Sequence, residues 1–134
     1  MLDTNVASYI IKGMPPEARQ RLITLPPDSI IISAVTEGEL LYGLARSKGY
    51  PTAFKNLIEH FLLRVHILPW DSGAAKAYAD LRATCAASGI VLGALDMMIA
   101  AHALAAKATL VTHDKAFSLI PGGLVALEDW INKS

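Results

Sequence analysis

A chain of 134 residues, of which 53% are hydrophobic, is long enough to bury one core and too short for two domains. No apolar run approaches the roughly 20 residues that a membrane-spanning helix needs, so we expect a soluble protein without membrane contact. Twelve acidic and twelve basic residues balance, which excludes the overall positive field that drives nonspecific nucleic-acid binding but not a few local phosphate contacts. The single Cys85 excludes an internal disulfide, and the N-terminus lacks a signal-peptide pattern, so we expect a cytoplasmic protein.

The first part of the chain predicts two short helices and a buried strand. Asn5 is a good N-cap for an apolar helix that stops at Gly13. This assignment places Asp3 in a strand-to-helix turn. A second helix is predicted over 15–22, and the β-branched residues over 29–33 predict a strand.

The next helix carries two glutamates on different faces. It begins at Ser33 or Thr36 and runs through Arg46. Glu37 and Glu39 are both acceptable as solvated helix residues, and their spacing does not choose between them.

The middle of the chain repeats the alternation of helices and strands. The predicted elements are a turn at Gly49-Tyr50-Pro51, an amphipathic helix over 54–62 and a strand over 65–68. An Ala-rich helix follows, with Asp71 or Ser72 as its N-cap. It ends near Ser88, because Gly89 stops it.

Asp96 stands in the opening turn of the last predicted helix, over 95–107. An acid in that place is ordinarily a helix cap or a response to the helix dipole. However, Ile99 and Ala103 share its face at helical spacing, and this small apolar face should pack inward. No Lys or Arg lies between Arg82 and the end of that helix, so the nearby sequence offers Asp96 no countercharge.

Two more strands are predicted after that helix, over 109–112 and 124–127. The first of them ends at His113-Asp114. The complete order predicts an α/β fold with a mostly parallel sheet of four or five strands flanked by helices. In such sheets, ligands bind beyond the carboxyl ends of the strands, so Asp3, Asp96, Asp114 and one glutamate of the third helix should meet there.

Carboxylates that are crowded together repel one another and raise one another's pKa unless a hard cation neutralises them. Oxygen ligands of this type suit Mg²⁺, and Mn²⁺ could substitute for it. The chemistry that this arrangement favours is metal-assisted hydrolysis of a phosphodiester. A His-containing metal phosphohydrolase needs more suitably spaced histidines, and His102 should be turned away from Asp96, so we expect a structural role for it.

Four motifs in order carry a resemblance to a known family. They are Leu2-Asp3-Thr4-Asn5, the segment from Ser33 to Gly43 with Glu39 before a Leu, the segment from Asp96 to Ala103, and the segment from Leu110 to Phe117. Together they resemble the PIN-domain ribonucleases, and more narrowly the VapC toxins of toxin–antitoxin pairs. The resemblance runs the whole length and implies a single PIN domain over 1–134 with a three-layer fold.

The resemblance also implies an activity and a site. It implies a Mg²⁺-dependent endoribonuclease toxin with an acidic site formed by Asp3, Glu39, Asp96 and Asp114, and it selects Glu39 over Glu37. We expect Asp3 and Asp96 to be the direct metal ligands. It further implies a homodimer, a VapB-type antitoxin that blocks the site, and, from one similar subgroup, initiator tRNA cut in its anticodon loop. Hydrolysis by this route leaves a 5′-phosphate and a 3′-hydroxyl.

Other polar residues are candidates for supporting roles. Thr4, Asn5 and Thr112 could orient the carboxylates, although caps and turn formers have the same composition. RNA contacts are candidates at four residues, each of which is also acceptable as a surface residue: Tyr42, Arg46, Arg82 and Lys115.

The chain departs from the family pattern at two places. Ile90 stands where many relatives carry a basic residue, and Ala116 stands where relatives often have an acid before Phe117. The alternative function is a noncatalytic Mg²⁺-binding interaction domain of receiver type. A receiver needs paired acids after its first strand, whereas Asp3 stands alone.

Overall fold

The computed structural model describes residues 1–46 and 52–131, so the turn predicted at Gly49-Tyr50-Pro51 lies outside the described residues. The helices are α1 (Thr4–Lys12), α2 (Pro16–Thr24), α3 (Ala34–Arg46), α4 (Thr52–Arg64), α5 (Ser72–Ala87) and α6 (Ala94–Ala105). The strands are β1 (Ile31–Ser33), β2 (His66–Leu68), β3 (Leu110–Val111) and β4 (Leu127–Glu128). No helix within these two ranges is both long and apolar enough to cross a membrane.

The strands form two parallel pairs, β1 with β2 and β3 with β4. Leu2 stands between the pairs and makes a parallel bridge to Ile32 on one side and to Val111 on the other. The backbone N–H of Leu2 donates to the carbonyl of Ile31 at 3.0 Å, and that of Asp3 donates to the carbonyl of Val111 at 3.0 Å. Asp3 therefore leaves the strands at the junction of the two pairs.

Neighbouring strand residues belong to two different hydrophobic clusters. Ile32 and Val111 are buried in a cluster to which α1, α2 and α4 contribute. Leu110 is buried in a second cluster with residues of α5 and α6, and Ile31 packs against it. Because successive side chains of a strand point to opposite faces, the strands separate the two clusters.

The start of α1 corrects one prediction. Asp3, and not Asn5, caps this helix, because the Asp3 carboxylate accepts the backbone N–H of Val6 at 2.8 Å. Asp3 has the extended backbone that an N-cap needs (φ −77°, ψ 171°), whereas Asn5 already lies inside the helix and is exposed. The predicted stop is confirmed, since Gly13 has a left-handed φ of 72°.

The strands are shorter than their patterns predicted, and the last one is displaced. β1 begins two residues late because Pro27–Ser29 form a 3-10 turn. The strand predicted over 124–127 is wrong, since β4 only begins at Leu127. Gly122 and Gly123 both have positive φ values and the next residue is helical in conformation, so the chain is still turning there.

The helices around the last motifs agree with their predictions. Asp71 caps α5 by accepting the backbone N–H of Ala74 at 3.1 Å, and Gly89 follows its end with a φ of 71°. α6 buries Ile99 and Ala103 completely, which is the face expected to pack inward. Asp96 lies in its first turn.

Candidate active site

Asp3 is a buried carboxylate, with only 5% of the residue exposed. It accepts the backbone N–H of Val6, and the Thr112 hydroxyl also donates to it. Burial raises the pKa of Asp3, and the charges of Asp114 and Glu39 raise this pKa further, while the two hydrogen bonds act in the opposite direction. The surroundings of Asp3 therefore disfavour the ionised form of its carboxyl group.

Asp96 is half-buried in the first turn of α6. Burial raises its pKa, and the charges of Asp114, Glu39 and Asp3 add to the effect in that order. Gly93 lies beside it, since a Cβ built on Gly93 would be in van der Waals contact, at 3.5 Å, with one of its carboxylate oxygens. The structure therefore brings all four predicted acids within electrostatic reach of one another.

A threonine holds Glu39 in this group. The Thr4 hydroxyl donates to the Glu39 carboxylate at 2.6 Å and lies 3.3 Å from the hydroxyl of buried Thr36. The charge of Glu39, rather than that of Glu37, acts on Asp3. Sequence reasoning missed Thr36, although it stands one helical turn before Glu39 and so faces the same way.

Thr112 connects two of the acids. Its hydroxyl donates to the Asp3 carboxylate and accepts the backbone N–H of Asp114 at 3.0 Å. Asp114 is exposed, and its carboxylate accepts the backbone N–H of Ala116 at 2.9 Å, which caps the 3-10 turn Lys115–Leu119. Thr4 thus donates to the Glu39 carboxylate and Thr112 to the Asp3 carboxylate, whereas Asn5 is exposed.

The charges of the acids are not balanced by nearby bases. In residues 1–46 and 52–131 the ion pairs join other side chains, and none includes Asp3, Glu39, Asp96 or Asp114. The same ranges contain no group of three His, Cys, Asp or Glu side chains close enough to hold a metal ion together. Mg²⁺ does not require such a group, since it commonly uses one or two carboxylates and keeps several waters. The donor chemistry therefore fits a magnesium ion.

His102 lies apart from these acids, as its helical position predicted. It is buried, and its Nδ1 lies 2.8 Å from the Ser33 hydroxyl. Burial lowers its pKa, and the charge of Asp71 offsets this effect in part. A neutral, buried imidazole bonded to a hydroxyl is a packing residue.

The candidate RNA contacts lie on two exposed surfaces and a turn. On α3, the Arg46 guanidinium lies 5.8 Å from the centroid of the Tyr42 ring, and Tyr42 is 66% exposed. On α5, the Arg82 guanidinium donates to the Tyr78 hydroxyl at 2.8 Å and lies 5.8 Å from the centroid of its ring. Lys115 is exposed at the start of a 3-10 turn. Sequence reasoning missed Tyr78, which the four-residue spacing from Arg82 could have revealed.

Short parallel strands flanked by helices, with four acids within electrostatic reach of one another, are typical of nucleases of α/β fold. The family model described as "PIN domain" matches residues 1–123 of this chain. A "tRNA(fMet)-specific endonuclease VapC" of Salmonella typhimurium is 36% identical over 131 residues, covering 97% of this chain and 96% of that protein. "Ribonuclease VapC2" of Rickettsia felis is 35% identical over 132 residues, with the same two coverages.

Solved structures agree with the sequence relatives. VapBC2 from Rickettsia felis, bound to a DNA fragment from its promoter, has a TM-score of 0.87 and 34% identity, with 97% of both chains covered. DNA-bound VapBC from Salmonella typhimurium has a TM-score of 0.86 and 36% identity, covering 97% of this chain and 96% of that chain. This chain belongs to the PIN-domain family and, within it, to the VapC endoribonuclease toxins. Family membership confirms the phosphodiester hydrolase that the motifs implied and sets aside the receiver-type module.

Proposed function

We propose that this chain cuts RNA at a Mg²⁺-dependent site formed by Asp3, Glu39, Asp96 and Asp114. The observation that carries the proposal is the mutual effect of their charges, since the pKa of Asp3 and that of Asp96 are both raised in part by the other acids. Carboxylates near one another without a basic partner disfavour one another's charge, and a bound cation relieves this repulsion. We infer that Asp3 and Asp96 hold the ion directly and that Glu39 and Asp114 complete the site.

Asp3 and Asp96 would hold the Mg²⁺ or Mn²⁺, which would supply polarisation of the phosphate and of a water. The side chains of the chain itself position the acids. Thr4 keeps Glu39 pointed into the site, and Thr112 keeps Asp3 and Asp114 at a constant separation. Burial of Asp3 limits the water around it and strengthens its attraction for a cation.

We infer that the substrate is a transfer RNA. The support is the name of the Salmonella relative, a tRNA(fMet)-specific endonuclease that is similar over almost the whole chain. Initiator tRNA cut in the anticodon loop is the specific target that we propose. Four exposed or partly exposed side chains offer stacking surfaces and positive charge for it: Tyr42, Arg46, Arg82 and Lys115.

We propose two protein partners. A VapB-type antitoxin is supported by the solved relatives, which are VapBC toxin–antitoxin complexes. A second copy of the chain is supported by exposed large apolar residues such as Leu63 at 83%. Sedimentation with and without the antitoxin would measure both assemblies. A cytoplasmic location follows from the RNA substrate and the free Cys85.

We infer that residues 1–134 form one PIN domain with three layers. The bridges of Leu2 to Ile32 and Val111 make the two strand pairs continuous, which supports one central parallel sheet of four to five strands. The two hydrophobic clusters supply the helical layers on either side.

The test is incubation of the purified protein with total RNA in Mg²⁺ or Mn²⁺. We expect discrete fragments with 5′-phosphate and 3′-hydroxyl ends, and we expect none in EDTA or with Asp96→Asn. Asp80→Asn is the matched control, because Asp80 is an exposed acid on α5 and should leave cleavage intact. Fragments ending in a 2′,3′-cyclic phosphate, or cleavage that persists in EDTA, would contradict the proposal. Sequencing the fragment ends identifies the target RNA.

A further inference from the structure

A cavity lies between α5 and the first turn of α6. Its volume is about 420 Å³, within the range of sites that enclose a small ligand. Residues that line it include Tyr78, Arg82, Ile90, Leu92, Ala94 and Met97. The lining is apolar apart from the tyrosine and the arginine, and among the described lining residues Arg82 carries the only charge.

The polar end of this cavity is built from an aromatic ring and a guanidinium. Arg82 lies 5.8 Å from the centroid of the Tyr78 ring and donates to its hydroxyl. Trp70 also contacts Tyr78, edge-on, with 5.9 Å between the ring centroids. Aromatic rings and guanidinium planes are the surfaces on which proteins stack unpaired nucleobases, and the guanidinium also binds phosphate.

The cavity adjoins the acidic site through α6. Ala94 and Met97 line the cavity and lie in the same helical turn as Asp96. A ligand in the cavity would therefore lie at the same end of α6 as Asp96. The four acids repel a phosphate, whereas Arg82 places a positive charge in the cavity.

We propose that this cavity binds one unpaired nucleobase of the RNA, adjacent to the phosphate that is cut. The base stacks on Tyr78, and Arg82 contacts the phosphate on the side away from the acids. The inference rests on the proposed function, and it makes Tyr78 a residue that favours unpaired over paired RNA at the cut. Bases in a loop can enter such a cavity, whereas paired bases cannot.

The test pairs a protein variant with an RNA variant. The RNA cut by the wild type is prepared intact and with single abasic nucleotides near the cut, one position at a time. We expect Tyr78→Leu to lower kcat/KM on the intact RNA by roughly 10-fold, the typical cost of one lost stack. At the one abasic position that removes the stacked base, Tyr78→Leu and the wild type should have the same kcat/KM, because the base that Tyr78 stacks on is already absent. Tyr78→Phe retains the ring and should keep most of the activity.

A control variant on the same helix is Lys76→Gln, which removes an exposed charge that does not line the cavity. It should behave as the wild type on every RNA. An equal loss for Tyr78→Leu at every abasic position would overturn the inference, since the effect would then be structural. Activity of Tyr78→Leu equal to that of the wild type would overturn it as well.

Failure of the proposed function is a separate result. If the wild type cuts no RNA in Mg²⁺, the variants are compared by fluorescence anisotropy with a labelled single-stranded RNA in EDTA, intact and abasic. Tyr78→Leu should then bind intact RNA more weakly than the wild type does, and the two proteins should bind the fully abasic strand equally. This result would support base binding in the cavity in the absence of catalysis. Equal binding by both proteins would overturn the inference.

Discussion

Replacing Asp3 separates its two roles, the cap of α1 and the buried charge of the site. Asparagine caps helices about as well as aspartate, whereas alanine does not. Asp3→Asn therefore removes the charge and retains the cap, and Asp3→Ala removes both. Both variants should lose RNA cleavage, because neither supplies a carboxylate to the proposed metal site.

The two variants should differ in stability without metal. Loss of an N-cap costs about 1 kcal/mol. The entropy of unfolding of a chain of 134 residues is about 0.28 kcal/mol/K from the average per residue, so Asp3→Ala should melt about 4 °C below Asp3→Asn. Asp3→Asn should melt at or above the wild-type temperature at neutral pH, because it removes a carboxylate whose charge is disfavoured by burial.

Magnesium should raise the Tm of the wild type above that of Asp3→Asn. A ligand present at ten times its Kd stabilises a protein by about 1.4 kcal/mol. For this chain the increase in Tm is about 5 °C, and both Asp3 variants should lose most of it. Differential scanning calorimetry in EDTA and in Mg²⁺ measures all three proteins. The reasoning is refuted if Asp3→Asn melts as low as Asp3→Ala in EDTA, or if Asp3→Asn still cuts RNA with magnesium.

Three further predictions concern pH, a supporting hydroxyl and a buried pair. The pKa values of Asp3 and Asp96 are raised in the folded state. Without metal, the stability that these two groups contribute is therefore complete below about pH 4 and is lost as the pH rises through their folded-state pKa values. Denaturant unfolding in EDTA across pH should show a smaller loss of stability in the variant with both residues replaced by Asn. Thr112→Val should lower kcat/KM about 10- to 100-fold while circular dichroism shows an intact fold. Thr84→Val, at an exposed position on α5, should leave kcat/KM unchanged. Equal kcat/KM values for Thr112→Val and the wild type would argue against a positioning role of Thr112. Ser33→Ala leaves the buried imidazole without its hydroxyl partner and should cost about 1–3 kcal/mol in urea unfolding, and a change near zero would contradict that account.

Local physics determined much of this protein from the sequence. The C-terminal end of α1 and the N-terminal end of α5 were predictable, because Gly13 and Asp71 act on backbone groups within a few residues. The inward face of α6 followed from helical spacing, and the acids Asp3 and Asp96 were expected beside strand ends. The cap of α1 was assigned to the wrong residue, since Asp3 and Asn5 are both good caps and only the backbone angles distinguish them.

The tertiary structure decided which distant groups meet. Glu39 was preferred to Glu37 only through a family pattern, whereas its hydrogen bond from Thr4 depends on how α3 packs against α1. The bond from Thr112 to Asp3 joins opposite ends of the chain and has no local signature. Such contacts are set by the order of parallel strands and by helix packing, which no short window of sequence contains. The acidic site was therefore predictable in its residue types, and its arrangement was a property of the folded chain.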